Sequence, residues 1–358
     1  MLKAANETKL LDYVFSSENA DTNPFEGIEG QNILAMPGRY ADSLKDISKH
    51  NTLSIYQPLK DYYNALKERG LDQVQNNLGV LTHEEPFYDA VIVRLTKNKT
   101  ENLFHLGYAL FLLKNQGTLF VYGVNDNGAA RFEKELHRIG LETEHVYKHK
   151  SRAFWTSKDD TKLDIDLLRE WISKGLSKHI HDTELEALPG LFSADKLDKG
   201  SIMLCEHLPK ELKGFGADFG CGYGFLSHYV LSNDIASGIA CFDHDNRAIE
   251  CAKANLHQFI SDENRVITFH WQDLTTEGAP KNTLDWIIMN PPFHDDADEN
   301  KRLGQLFVEQ AASALKKGGM LYMVANNHLP YEKLMVSHFS SIEKPHEGGG
   351  YKIFIAKV

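Results

Sequence analysis

The sequence predicts an α/β protein built from two tandem doubly wound units, and three observations carry that expectation. From Gly214 to the C-terminus, apolar strand-like runs alternate with helical stretches, the pattern of a parallel sheet covered by helices on both faces. A glycine-rich turn stands between the first strand and the first helix of that series. The N-terminal half repeats part of the same order in fainter form. At 358 residues, the chain has room for two domains of roughly 150 residues each.

In the N-terminal half, FYDAVIVRL reads as a strand, FHLGYALFLLKN as a helix and QGTLFVYG as the next strand. They parallel LDWIIMNPPF, QLFVEQAASALKK and GGMLYMVA in the C-terminal half. Asp89 precedes Val93 as Asp285 precedes Met289, and Gly117 corresponds to Gly319. A duplication explains this better than chance resemblance of two strand–helix–strand units. The halves differ where a ligand would sit. Arg94-Leu95-Thr96-Lys97 stands in the place of Asn290-Pro291-Pro292-Phe293, and the first half shows no glycine-rich strand–helix turn. The expected layout is a degenerate domain over 1–150, a linker over 151–184 and a working domain over 185–358.

Within that last domain GADFGCGYGFLS gives strand, turn and helix start. ASGIACFD is the second strand, RAIECAKANLHQF a helix, RVITFHWQD the third strand and LDWIIM the fourth. A helix is expected from about Gly304 to Leu315, stopped by Lys316-Lys317-Gly318-Gly319. MLYMVA and YKIFIAKV complete the sheet.

Composition excludes several classes. A hydrophobic content of 42% is too high for a disordered chain. No apolar run approaches the roughly 18 residues that span a bilayer, and MLKAANETKLLDYVF lacks the apolar stretch and cleavage site of a secretory signal. The net charge of −11 argues against a broad electrostatic grip on phosphate, while leaving room for local basic patches. Cys205, Cys221, Cys241 and Cys251 form no CxxC pair and show no zinc spacing, so no metal is expected. Reduced thiols in a cytoplasmic protein account for them.

Gly220, Gly222 and Gly224 follow an apolar strand and open a helix, where backbone N–H groups can face a ligand. The spacing is GxGxG, and Phe225 stands where a dinucleotide fingerprint would go on towards its third glycine, which disfavours a nicotinamide dehydrogenase. Asp243 lies 23 residues beyond Gly220 at the end of the next strand, where a carboxylate can accept from a ribose diol. Asp245 suits a helix N-cap. Asp273, after the third strand, is placed either to meet an adenine amino group or to cap a loop. Together these strand ends point to an adenosine-containing ligand.

Asn290-Pro291-Pro292-Phe293 indicates the chemistry. Two prolines lock the backbone and remove two N–H donors. The Asn290 side-chain oxygen and a neighbouring carbonyl can then accept both hydrogens of a planar NH2 group, with Phe293 stacking on its ring. Holding such an amine in line with an electrophilic methyl favours its nucleophilic, tetrahedral form without a strong base. Methyl transfer from S-adenosylmethionine to an exocyclic amine follows.

The glycine turn, Asp243 and the NPPF run together resemble the class I S-adenosylmethionine methyltransferases that modify amino groups. LPGLFSADKLDKGS (188–201), MNPPFHDD (289–296) and VANNHLPYEKL (324–334) are more specifically similar to the ribosomal RNA small subunit methyltransferase C family. The likeness is strong over 185–358 and rests on element order alone before that. It implies two tandem Rossmann-like class I methyltransferase domains, the N-terminal one degenerate, and methylation of a guanine N2 in 16S rRNA. By the same resemblance, Asp218, Phe219, Gly220 and Gly222 would line the methionine end of the cofactor. Asp243 would hold the ribose and Asp273 approach the adenine, while Asn290, Pro291 and Phe293 hold the guanine. Phe192 and Ser193 either cover the cofactor or, for Phe192, join the core, and His294 fits an orienting or structural role better than that of a base.

The partner implied is 16S rRNA or the small ribosomal subunit, met by a monomer. A flipped or unpaired guanine is expected in the pocket. Lys97, Lys99, Lys148, Lys150 and Arg152 either contact phosphate or form a solvated face, and Lys301 and Arg302 sit nearer the target. Three alternatives stand beside this reading: a large-subunit guanine-N2 enzyme, a protein glutamine or DNA adenine amino-methyltransferase, and a non-catalytic binding protein.

Overall fold

The computed structural model describes residues 6–16, 23–25, 27–292 and 297–358, with the backbone alone over 297–301. The chain divides into two units, Met1–Leu176 and Ser177–Val358.

Unit 1 runs α1 (Asn6–Val14), β1 (Asn32–Met36), α2 (Asp42–His50), β2 (Thr52–Tyr56), α3 (Lys60–Glu68), β3 (Val74–Gln75) and β4 (Tyr88–Arg94). It continues through α4 (Lys99–Leu112), β5 (Leu113–Val124), α5 (Ala129–Arg138), β6 (Glu144–Lys148), β7 (Ser151–Ser157) and α6 (Ile165–Ser173). Its seven strands lie in the order β3-β2-β1-β4-β5-β7-β6. The first five are parallel, and β7 and β6 are each antiparallel to the strand before them in that order.

Unit 2 opens with a two-stranded ribbon, β8 (Lys178–His179) and β9 (Glu186–Ala187), followed by α7 (Lys199–Glu206), β10 (Gly216–Phe219) and α8 (Phe225–Ser232). Then come β11 (Gly238–Asp243), α9 (Asn246–Asn255), α10 (His257–Ile260), β12 (Val266–Trp271), β13 (Leu284–Met289) and α11 (Ala297–Ala314). The chain closes with β14 (Leu315–Asn326), α12 (Tyr331–Val336), β15 (Ser341–Gly348) and β16 (Tyr351–Lys357). Its sheet order, β12-β11-β10-β13-β14-β16-β15, repeats that of unit 1 strand for strand.

The duplication extends to single hydrogen bonds. Asp89 accepts from the Asn32 N–H and from Lys114, and Asp285 accepts from the Phe215 N–H and from Lys316. Each aspartate ties the start of the fourth parallel strand to the entry of the first. Each unit also carries its own core. Strands β10 and β11 are buried along their whole length, as strands covered on both faces must be. Phe219 and Phe242 face one helix layer of unit 2, and Ile239, Cys241 and Ile288 face the other.

Two boundaries depart from the sequence expectation. The stretch 151–184 is not a linker. Ser151–Ser157 is a full strand paired to β5 and β6, and α6 packs on α4 with Trp171 fully buried. The helix expected from Gly304 begins at Ala297, and Lys316 and Lys317 belong to the start of β14, where the register shifts.

Candidate active site

The register of the unit 2 sheet sets the site. Phe219 pairs with Phe242 on one side and Met289 on the other, and Asp243 pairs with Trp271. The residues that follow these pairs, Gly220, Asn290 and Gln272, therefore emerge with Asp243 along one carboxyl edge. The strand order reverses between β10 and β13, so Gly220 and Asn290 flank the crevice where ligands bind in open α/β sheets.

The glycine turn is held from β11. The N–H groups of Gly220 and Cys221 both donate to the Phe242 carbonyl, each at 2.9 Å. Gly222 has φ +54°, and a Cβ built on it would meet nothing within 4 Å, so the backbone there borders open space. Its N–H donates to Asp243 Oδ2 at 2.8 Å, while Oδ1 accepts from the Asp245 N–H at 2.9 Å. Each oxygen keeps a further lone pair for a ligand hydroxyl. Burial raises the Asp243 pKa, His244 opposing it. Asp245 caps α9 as expected, accepting from the Arg247 N–H at 2.9 Å.

Asp218 lies wholly buried below this turn. Its Oδ2 accepts from the Ser227 hydroxyl at 2.7 Å, and its Oδ1 has no partner among the described residues. Burial pushes its carboxyl up to about 7, against the pull of the Ser227 hydrogen bonds. Phe219 turns to the opposite face, fully enclosed, its ring 5.4 Å from Phe242. Asp273 stands at the same edge, but its carboxylate is engaged locally. It accepts from the Thr275 N–H and from the hydroxyls of Thr275 and Thr276, at 2.7–2.9 Å.

At the other side of the crevice, Asn290 follows β13 and Pro291 is buried. Asn290 Nδ2 donates to Asp198 Oδ2 at 2.9 Å and to Ser201 Oγ at 2.8 Å. Its Oδ1 is buried and has no partner among the described residues. An unmade hydrogen bond to such a carbonyl costs about 1–3 kcal/mol, which a ligand donor would recover. Phe293 and His294 lie outside the described residues. Asp198 and Ser201 were not singled out in the sequence, because 92 residues separate Asp198 from Asn290. The available signal was a cap pattern, Asp198 accepting from the Ser201 N–H.

Around the rim, Phe192 is 61% exposed rather than core, and Ser193 has φ +53°. Asn255 ties the glycine turn to β9: its Nδ2 donates to the carbonyls of Tyr223 and Glu186, and its Oδ1 accepts from the Glu186 N–H. Of the basic residues, Lys97, Lys99, Lys150 and Arg302 are exposed, Lys148 lies 3.4 Å from the Tyr13 ring centroid, and Arg152 is engaged by Glu133. Among the described residues no group of three or more His, Cys, Asp or Glu is placed to hold a metal ion, and no helix is long and apolar enough to cross a membrane.

The corresponding strand ends of unit 1 are joined by ion pairs between side chains. Arg94, at the end of β4, reaches Glu7 of α1 at 3.2 Å, and Arg39 reaches the same carboxylate oxygen at 3.2 Å. Arg94 also donates to the Pro37 carbonyl that follows β1.

Comparison with known proteins agrees with this division. Residues 182–355 match the Methyltransferase small domain family, and residues 26–174 its N-terminal companion, the Methyltransferase small domain N-terminal family. A protein of Shewanella sediminis named ribosomal RNA small subunit methyltransferase C is 28% identical over 92% of this chain and 94% of its own length. Proteins of the same name from Shewanella pealeana and Pseudomonas paraeruginosa are each 30% identical over 75% of this chain, and 76% and 79% of theirs. The solved structure of the T. thermophilus 16S rRNA methyltransferase RsmC, in complex with AdoMet and guanosine, shares the fold. It superposes with a TM-score of 0.74 at 23% identity, covering 92% of this chain and 88% of that one. With two matched domains in the same order and relatives aligned over most of both lengths, the chain belongs to the ribosomal RNA small subunit methyltransferase C family.

Proposed function

We infer that the chain transfers a methyl group from S-adenosylmethionine to the exocyclic N2 amine of a guanine in 16S rRNA. The observation that carries this is Asn290, whose amide nitrogen is fully engaged while its buried oxygen is left to accept. An aromatic amine needs acceptors to orient its hydrogens, and Asn290 Oδ1 provides one at the switch point of the sheet. The names of the curated relatives favour the small-subunit over the large-subunit reading.

The residues present fit the cofactor. When bound, S-adenosylmethionine supplies an electrophilic methyl group. Asp243 has lone pairs for its ribose, the open backbone at Gly222 allows close approach, and the unpaired Asp218 Oδ1 offers an acceptor beneath the turn. Gly220 shapes the turn with φ +75°. Phe219 supports it from the core, and Asp273 shapes the adenine end through its turn rather than through a free carboxylate. Pro291 stiffens the backbone of the guanine pocket, and the role of stacking on the base is assigned to Phe293 from the NPPF run alone. All these residues come from unit 2, so one copy of the chain can supply them, and a monomer acting in the cytoplasm without a metal is part of this proposal. Unit 1 is the degenerate copy, and it serves substrate recognition.

Asn290→Ala tests the reading. Transfer of labelled methyl to unmodified 16S rRNA, or to small subunits, should fall by about a hundredfold or more, with S-adenosylmethionine affinity by calorimetry unchanged. Wild-type turnover in that variant would remove Asn290 from the chemistry.

A further inference from the structure

We propose that Asp198 and Ser201 are positioning residues that fix the orientation of the Asn290 amide, so that oxygen and not nitrogen faces the guanine. The proposal rests on the reading of Asn290 given above and adds what enforces it. Asp198 Oδ2 accepts twice, from the Ser201 N–H at 2.7 Å and from Asn290 Nδ2 at 2.9 Å. Ser201 Oγ takes the same nitrogen at 2.8 Å, and Ser201 is 7% exposed. Both contacts fall on one end of the amide. An ionised carboxylate can only accept, so a turned amide would set its oxygen against Asp198, lone pair to lone pair. Turned that way, it would also show an NH2 group to the incoming amine, and two donors cannot pair. The carboxylate thus selects the productive amide rotamer before substrate arrives.

The clamp is itself held. Asp198 caps α7, and a Cβ on Gly200 would fall 2.8 Å from Tyr351 Cε1 and 3.0 Å from Asp198 Oδ2, so the helix start is tight against β16. Unit 1 makes the same link with different chemistry. Helix α1 packs on β5 and β7 as α7 packs on β14 and β16, and its Glu7 reaches Arg94, the counterpart of Asn290. There the strand-end residue is a cation that has nothing left to accept with. A link from this helix to this strand end is therefore part of the architecture, and in unit 2 it is built to leave one acceptor over.

Asp198→Ser separates capping from positioning, because serine caps a helix well but is too short to reach Asn290. Turnover should fall by on the order of tenfold to a hundredfold, while KM for the rRNA, S-adenosylmethionine affinity and the thermal midpoint stay at wild-type values. A second variant serves whether or not that one folds normally. Ser201→Ala keeps the backbone N–H that Asp198 caps and removes only the hydroxyl that accepts from the Asn290 amide. Turnover should fall by on the order of tenfold, with S-adenosylmethionine affinity and the thermal midpoint unchanged. Wild-type turnover in a folded Asp198→Ser, or in Ser201→Ala, overturns the proposal. The two readings fail differently. If Asn290→Ala keeps full turnover, the role of Asn290 falls; if Asn290→Ala is inactive and Asp198→Ser is not, the clamp alone falls.

Discussion

Asp218 shows what burial does to a single carboxyl group. Enclosure raises its pKa from 3.8 to about 7, and the ionised Asp243 nearby adds to the rise. Between those values the folded chain holds a proton that the unfolded chain releases. The stability this contributes is complete below pH about 4 and is lost as pH rises through about 7. Asp218→Asn keeps an acceptor for Ser227 and cannot ionise. Scanning calorimetry should therefore find the variant about 3 °C or more above wild type at pH 8, and level with it near pH 4. Parallel curves at both pH values would assign the charge elsewhere. At this scale the sequence revealed residue type and strand-end position, which is how Gly220, Gly222, Asp243 and Asn290 could be placed on one edge. It could not reveal the partners. Asp243 and Asp273 look alike in sequence, yet one keeps lone pairs toward the crevice and the other is occupied by Thr275 and Thr276.

Elements in this fold are joined by polar side chains as well as by core packing, and Asn255 is one such joint at the site. It sits at the end of α9 and makes three hydrogen bonds, two to Glu186 of β9 and one to the Tyr223 carbonyl in the glycine turn. Asn255→Ala removes all three at a net cost of about 1 kcal/mol each, so roughly 2–3 kcal/mol in urea unfolding. The Glu186 amide should exchange with solvent faster, with β11 and β13 unaffected. A loss under about 0.5 kcal/mol with unchanged exchange would show that packing alone docks the ribbon. Neither β8 nor β9 was legible in the sequence, since two-residue strands have no periodicity to read. The start of α11 was missed for a related reason: ADENKRL is polar until Leu303, so the apolar repeat begins well after the helix does. Strands β11 and β13 and the Met320–Ala325 stretch of β14 were legible because they are largely apolar on both faces, whereas the four-residue β10 was legible from the glycine turn that follows it.

Across the whole molecule, duplication has produced two crevices of opposite character. The order of elements was legible from the repeat of Asp89 and Gly117 in Asp285 and Gly319. The fate of the first crevice was half legible: Arg94 stood where an amide was wanted, but nothing in the sequence showed that Glu7 would meet it. In unit 1 the Glu7 carboxylate, 7% exposed, lies between Arg39 and Arg94, 21% and 11% exposed. Removing one member of a buried ionic group leaves the others uncompensated, so Glu7→Ala should cost about 3–5 kcal/mol. The opening in unit 2 at Gly222 has no such plug among the described residues. The full chain should therefore bind one equivalent of S-adenosylmethionine in calorimetry. Gly222→Val should abolish that binding, because a branched side chain is strained at φ +54° and fills the space beside Asp243. Glu7→Ala, although less stable, should still bind one equivalent at 10 °C, where the folded state persists. Two equivalents in the wild type would mean that the crevice crossed by Glu7, Arg39 and Arg94 still receives the cofactor and that the two units divide the work differently, and one equivalent remaining in Gly222→Val would remove the Gly222 turn from the cofactor site.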